Sequence, residues 1–410
     1  MYNKIVMNSS NKLEYVCIFG GGAVRGISYI GVLDALETLN IDIKKIAGSS
    51  IGALFATFFA VGYSTFELTD IFKNINFQIF KDINFSLKPQ LAISKGEVFY
   101  EFIKETIEKK YYKENYTKNN TPVNFADLDF DLFIFTSDLT NCKPKIFSRY
   151  TTPDYEIAKA VRISASLPGL MNPVVYEDSL LVDGDLIKSW PLWLIDDNLI
   201  SDDYRVLEFR LEGGKILDHI KNPIDYANAV ISCVSNYATD RIIDLYGEKD
   251  KFDYIVIDTK DLLIMDLNIS YERRLDLIKL GFNTTINYFK NNLFLKKKKL
   301  KQIYSSLLDS LIKINNKITL SKFFEAKIDF TELFVELCNS KHFIDSIYYK
   351  QILDLYSLYK LSLEKTALFN LYHLNNKKKI IQNLSLIIDS IKKRLLEIIE
   401  FENFYDFKLK

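Results

Sequence analysis

The sequence predicts an α/β domain on a mostly parallel central sheet, followed by an all-α domain. Two observations carry this. Up to about residue 290, short β-branched or aromatic runs alternate with stretches of helical periodicity, and glycine and proline turns separate them. Past that point the turn formers stop. All 15 Gly and all 8 Pro fall before residue 282, and the remainder of the chain is rich in Lys, Leu and Ile. Charge divides at the same place. The 53 basic and 53 acidic residues cancel over the chain, yet residues 291–410 carry a net +8 and residues 1–290 a net −8. The expected organisation is a polar arm over 1–13, an α/β domain over 14–290 and a basic helical domain over 291–410. Overall neutrality excludes a globally basic nucleic-acid binder. At 48% hydrophobic and 14% aromatic residues, the composition is that of a buried core, not of disorder.

Tyr15 to Phe19 (YVCIF) reads as a buried strand. It enters Gly20-Gly21-Gly22-Ala23-Val24-Arg25-Gly26. Ile27, Ile30, Leu33, Leu36 and Leu39 then recur at helical spacing. Strand, glycine loop and helix N-terminus present free backbone N–H groups to an anion, and Arg25 adds a fixed positive charge. Two readings fit: a phosphate cradle for a nucleotide, or an oxyanion hole for acyl transfer. Against the cradle, the glycines are not spaced G-x-G-x-x-G, and no Lys-Ser/Thr follows.

Ile43 to Ala47 end a second strand, which runs into Gly48-Ser49-Ser50-Ile51-Gly52, a G-x-S-x-G pattern. At such a turn Gly48 and Gly52 relieve backbone crowding, Ser50 is pushed outward, and the helix from Ile51 aims its N-terminus at it. The apolar run Ile51 to Gly62 is too short to span a bilayer and reads as a buried helix. Phe77 to Leu87 is crowded with apolar residues and reads either as core packing or as a mobile lid. Phe99, Phe102, Ile103 and Ile107 predict an amphipathic helix, and Glu108 to Asn120 an exposed loop.

Asp131 to Ser137 and Pro144 to Phe147 are further strands. Ala158 to Ser166 predicts a helix stopped by Pro168-Gly169. Ser179 to Val182 is a short strand ending in Asp183-Gly184-Asp185, with a carboxylate at its tip and the permissive Gly184 after it. Val206 to Leu211 and Phe252 to Ile257 complete the strands. A site in such a sheet lies outside the carboxyl ends of its strands, where Ser50 and Asp183 both fall.

A serine nucleophile needs a base. The only histidines are His219, His342 and His373, all distant in sequence from Ser50. A carboxylate within hydrogen-bond reach can serve instead, and Asp183 is the candidate. An alternative keeps Ser50 and Asp183 and adds His219, in the chain order of an α/β-hydrolase triad.

GGGAVRG, GSSIG and DGD, in that order, resemble the patatin-like phospholipase family. Thr136 to Leu139, Lys143-Pro144, Phe147-Ser148 and Ala160 to Pro168 extend the resemblance, which reaches about Tyr288. It implies a three-layer patatin-like fold and a Ser–Asp dyad without histidine: Ser50 as nucleophile, Asp183 as base, and an oxyanion hole at Gly20, Gly21 and Gly22 with Arg25 beside them. It implies a lipid acyl hydrolase acting on phospholipid or another acyl lipid, and no metal or organic cofactor. A further alternative is an effector whose hydrolysis is gated by a protein or small-molecule activator bound at the helical domain. Asp185 departs from the family, which usually has Gly or Ala there. A second carboxylate so close should raise the proton affinity of Asp183 by like-charge repulsion.

The four cysteines show no metal or disulfide spacing, and Cys17 and Cys233 read as core residues. Met1 to Leu13 lacks an apolar leader, and no stretch is long enough to cross a membrane. The expected location is cytoplasmic or peripheral at a membrane; delivery into another cell is not legible. In the tail, Ile303, Leu307, Leu308 and Leu311 form one helical stripe, and Ile380 to Leu395 form another. Asp329 and Glu332 have capping-box spacing, and heptads are not sustained. LKKKKLK, Lys377 to Lys379 and Lys392 to Arg394 suit either an anionic membrane or docking on the acidic domain.

Overall fold

The computed structural model describes residues 14–82, 91–187, 205–213, 252–263, 266–319, 326–339, 350–357 and 370–408, with scattered positions from 220 to 241. The chain forms two compact units, one closing at Asn287 and the other running from Tyr288 to Lys410.

The first unit is an α/β domain. Its strands are β1 (Glu14–Phe19), β2 (Asp42–Ser49), β3 (Ala92–Ser94), β4 (Asp131–Asp138), β5 (Lys143–Ser148), β6 (Gly169–Met171), β7 (Val174–Tyr176), β8 (Ser179–Asp183), β9 (Arg205–Glu212) and β10 (Phe252–Asp258). Its helices include α1 (Ser28–Thr38), α2 (Ile51–Val61), α3 (Thr65–Asn74), α4 (Glu97–Tyr112), α5 (Ile157–Ser164) and α6 (Tyr271–Asn287). Eight strands make the main sheet, in the order β10-β9-β1-β2-β4-β8-β7, with β5 also on β4. From β10 to β4 the pairing is parallel; β5, β8 and β7 join antiparallel. Tyr15 to Phe19 are all 0% exposed. Alternate side chains of a strand point to opposite faces, so both faces of the sheet are covered, as the three-layer expectation requires.

Register places the strand ends. Phe19 of β1 is level with Gly48 of β2 and with Phe209 of β9, and Ser49 is level with Phe135 of β4. Strand β8 runs the other way, yet its last residue Asp183 sits opposite Thr136, one step from Phe135. The glycine loop, the serine turn and the Asp183 tip therefore leave the sheet at one edge.

Two expectations are corrected by the fold. Helix α4 continues through Tyr112, so the first part of the expected loop is helical. Glu108 is buried at 2% exposure, and burial pushes its carboxyl above the usual range. Cys233 is exposed, whereas Cys17 is in the core. For the Phe77–Leu87 run, Phe77 is buried and the Phe80 ring lies 5.2 Å from Phe99 and 5.3 Å from Phe102, which is packing. Residues 83–90 lie outside the described residues.

The second unit is helical: α7 (Phe294–Thr319), α8 (Ala326–Asn339) and α9 (Asn370–Lys408). Leu300, Tyr304, Leu307, Leu311, Ile314 and Ile318 of α7 share one core with Leu333 and Leu337 of α8 and with Ile380, Leu384 and Ile391 of α9. The α7 positions alternate steps of four and three, so a heptad seam does run the helix, against expectation. Lys297, three residues before Leu300, falls on the seam and is 3% exposed. Lys297 is buried whereas Lys298 and Lys299 are exposed, so these lysines do not form one cationic face. Asp329 is also not a cap: it lies inside α8, 3% exposed, with Lys313 at 2.8 Å and Lys317 at 2.5 Å. Burial alone would raise its carboxyl, but the two ammonium groups hold it below the usual range.

Candidate active site

Ser50 stands between β2 and α2 with φ 53° and ψ −126°, a backbone that a residue with a Cβ adopts only under constraint. The constraint is close packing of the turn. A Cβ on Gly48 would lie 2.4 Å from the Gly52 carbonyl, and one on Gly52 2.1 Å from the Phe19 carbonyl oxygen. Ser49 is 1% exposed, whereas Ser50 is half-buried and reaches the surface.

The glycine loop meets this turn. A Cβ on Gly21 would lie 2.9 Å from the Ser50 Cβ and 1.7 Å from Asp185 Oδ2. Gly22 has φ 155° and ψ 18°, which suits glycine alone. Among the described residues, no acceptor takes the N–H of Gly21 or Gly22. Gly20 differs from expectation. Its N–H donates to the Phe209 carbonyl at 3.0 Å, continuing the ladder between β1 and β9, and is not available to an oxyanion. Its carbonyl accepts from the Tyr29 hydroxyl at 2.7 Å.

Arg25 also has another role. Its guanidinium, 6% exposed, donates to the carbonyls of Leu262 (2.8 Å) and Gly213 (2.6 Å). Burial lowers its pKa, and Asp266, Asp258 and Glu212 partly offset that. Arg25 thus ties the loop to the segments following β9 and β10, and works as a positioning residue.

Asp183 is 2% exposed at the tip of β8. Its Oδ1 accepts the Asp185 N–H at 2.9 Å, an Asx-type turn that fixes the carboxylate. A Cβ on Gly184 would lie 2.2 Å from the Phe135 carbonyl oxygen and 3.0 Å from the Ser49 Cβ, so the two turns abut. No hydrogen bond joins Ser50 Oγ to Asp183, and Oγ has no acceptor among the described residues. Catalytic hydrogen bonds often tighten only once substrate is bound. His219 lies outside the described residues.

Residues without an assigned role in the sequence hold the two turns together. The Ser50 N–H donates to Ser164 Oγ at 2.9 Å, and Ser164 Oγ–H donates to the Phe135 carbonyl at 2.6 Å. The Gly184 N–H donates to the Ser164 carbonyl (3.2 Å), and the Asp183 N–H to the Ser166 carbonyl (3.0 Å). Ser164 thereby contacts the nucleophile turn, β4 and the aspartate turn. Its signals in the sequence were its place at the end of a helix and inside the Ala160-to-Pro168 stretch of the resemblance, neither of which gives it a role. Ser164→Ala should lower kcat about tenfold with little change in KM, and destabilise the fold by about 1 kcal/mol. Steady-state kinetics and thermal melting check both.

Residues 17–194 match the family model for Patatin-like phospholipase. The uncharacterized protein R571 of Acanthamoeba polyphaga mimivirus is 34% identical over 194 residues, 47% of this chain and 64% of that protein. The probable lipid hydrolase 463L of Invertebrate iridescent virus 6 is 24% identical over 181 residues, 43% of this chain and 61% of that protein. The chain thus spans less than two thirds of each of these relatives. Among solved structures, VipD from Legionella pneumophila is 13% identical, with a TM-score of 0.40, over 95% of this chain and 91% of that one. Glycine loop, serine turn and Asp-Gly tip all fall inside residues 17–194, the segment that matches the Patatin-like phospholipase model.

Proposed function

We propose that this chain is a lipid acyl hydrolase with Ser50 as nucleophile and Asp183 as base. The observation that carries the reading is convergence: a strained, outward serine, two glycine N–H groups without acceptors among the described residues and a buried carboxylate meet at one sheet edge. Ser50 Oγ attacks the ester carbonyl carbon while its proton passes to Asp183. The carbonyl oxygen takes the electron pair and is held by the Gly21 and Gly22 N–H groups. On collapse the alkoxide leaves with the proton from Asp183. Water, deprotonated by Asp183, then attacks the acyl-Ser50 carbonyl; the acyl–Oγ bond breaks, the fatty acid leaves, and Ser50 Oγ takes the proton back from Asp183. Phospholipid is the substrate class that the family suggests, presented at a lipid surface.

In a second reading, hydrolysis is gated by a protein or small-molecule activator. One assay separates the two. The purified chain is incubated alone with mixed phospholipid vesicles, and released fatty acid is measured. Release that Ser50→Ala removes supports the ungated enzyme. No release from a folded chain supports gating.

A further inference from the structure

We propose that Asp185 is a brake on acyl transfer, a negative charge held beside the oxyanion site by the hydroxyl of Ser49. The inference rests on Ser50 being the nucleophile. It starts from placement. Asp185 Oδ2 occupies the space where a Gly21 Cβ would stand, against the loop whose N–H groups the proposed function assigns to the oxyanion, and the Ser50 Cβ borders the same point. Ser49 Oγ–H donates a hydrogen bond to Asp185 Oδ1. Ser49 is 1% exposed and cannot turn away, so it fixes the carboxylate there.

The effect of that charge depends on where negative charge moves. As Ser50 attacks, its proton neutralises Asp183 and the substrate carbonyl oxygen becomes the anion. Total charge is unchanged, but one negative charge shifts from Asp183 to the oxyanion. A fixed carboxylate speeds this step if it lies nearer Asp183 and slows it if it lies nearer the oxyanion. Asp185 meets Asp183 through its backbone N–H, while its carboxylate points to Gly21. Its charge is accordingly assigned to the opposing side, against the glycine loop. Two unit charges a few ångströms apart change a rate by more than tenfold even in polarisable surroundings.

The test measures kcat and KM of the full chain on a neutral short-chain aryl ester, for Asp185→Asn, Asp185→Ala, Ser49→Ala and Ser50→Ala. Both Asp185 variants should raise kcat about ten- to a hundredfold, with KM within about threefold. Ser49→Ala, which frees the carboxylate to swing away, should give a smaller rise. Damage to the fold does not raise kcat, so a gain is not a structural effect. Equal or lower kcat in both Asp185 variants overturns the inference; a loss confined to Asp185→Ala would mean that residue 185 acts through the hydrogen bond it accepts from Ser49, not through its charge, and overturns it too. Activity surviving in Ser50→Ala would sink the parent reading, a separate outcome.

Discussion

Ser50→Ala and Asp183→Ala should each lower kcat on an ester substrate by about 10⁴-fold or more, and the double variant should be no worse than the poorer single one. The two residues act on one proton, so losing either loses the step. Melting should shift by only a few degrees. Ser50 is half-buried at a turn and contributes no core contact, and its substitution leaves the backbone hydrogen bond to Ser164 Oγ in place. Asp183 is buried, but its N–H bond to Ser166 is a backbone bond that also survives. Near-full activity in Asp183→Ala, with Ser50 still required, would remove Asp183 as base and return attention to His219.

Gly21→Ala should lower kcat about 10²- to 10³-fold and change KM far less, the loss expected when oxyanion donors are displaced. The new Cβ would meet Asp185 Oδ2 at 1.7 Å and the Ser50 Cβ at 2.9 Å. Ser49 holds the carboxylate, and Ser50 cannot move without losing its alignment, so the glycine loop must give way. Gly22→Ala acts differently: φ 155° disfavours a Cβ, and Leu211 stands 2.8 Å away, so the loop itself must shift. An effect on KM alone would mean that the loop binds a ground-state group such as a phosphate.

Much of this site was legible in the sequence because it is local. A β-branched run ending in three glycines, or in G-x-S-x-G, has few ways to fold, and β1, β2 and the turn at Ser50 are where the residue patterns place them. Contacts across the sheet were not legible. The sequence cannot show that the Gly20 N–H faces Phe209, or that Arg25 reaches Gly213 and Leu262. Ser164 was hidden for the same reason, since its partners Ser50, Phe135 and Gly184 are far along the chain. Glu108 misled because a charged residue reads as surface, yet its helix turns it inward. In the helical unit, Lys297 and Tyr304 interrupt the apolar pattern of a seam that they in fact occupy, so the heptads were missed.

The central claim is that Ser50 is the nucleophile, and covalent labelling tests it most directly. The full chain is treated with a fluorophosphonate that carries an alkyl tail, digested, and mapped by mass spectrometry. The account predicts a single phosphonyl adduct on Ser50, lost in Ser50→Ala and much slowed in Asp183→Ala. An adduct on another residue, or lipid hydrolysis that continues with Ser50 unlabelled, would contradict it.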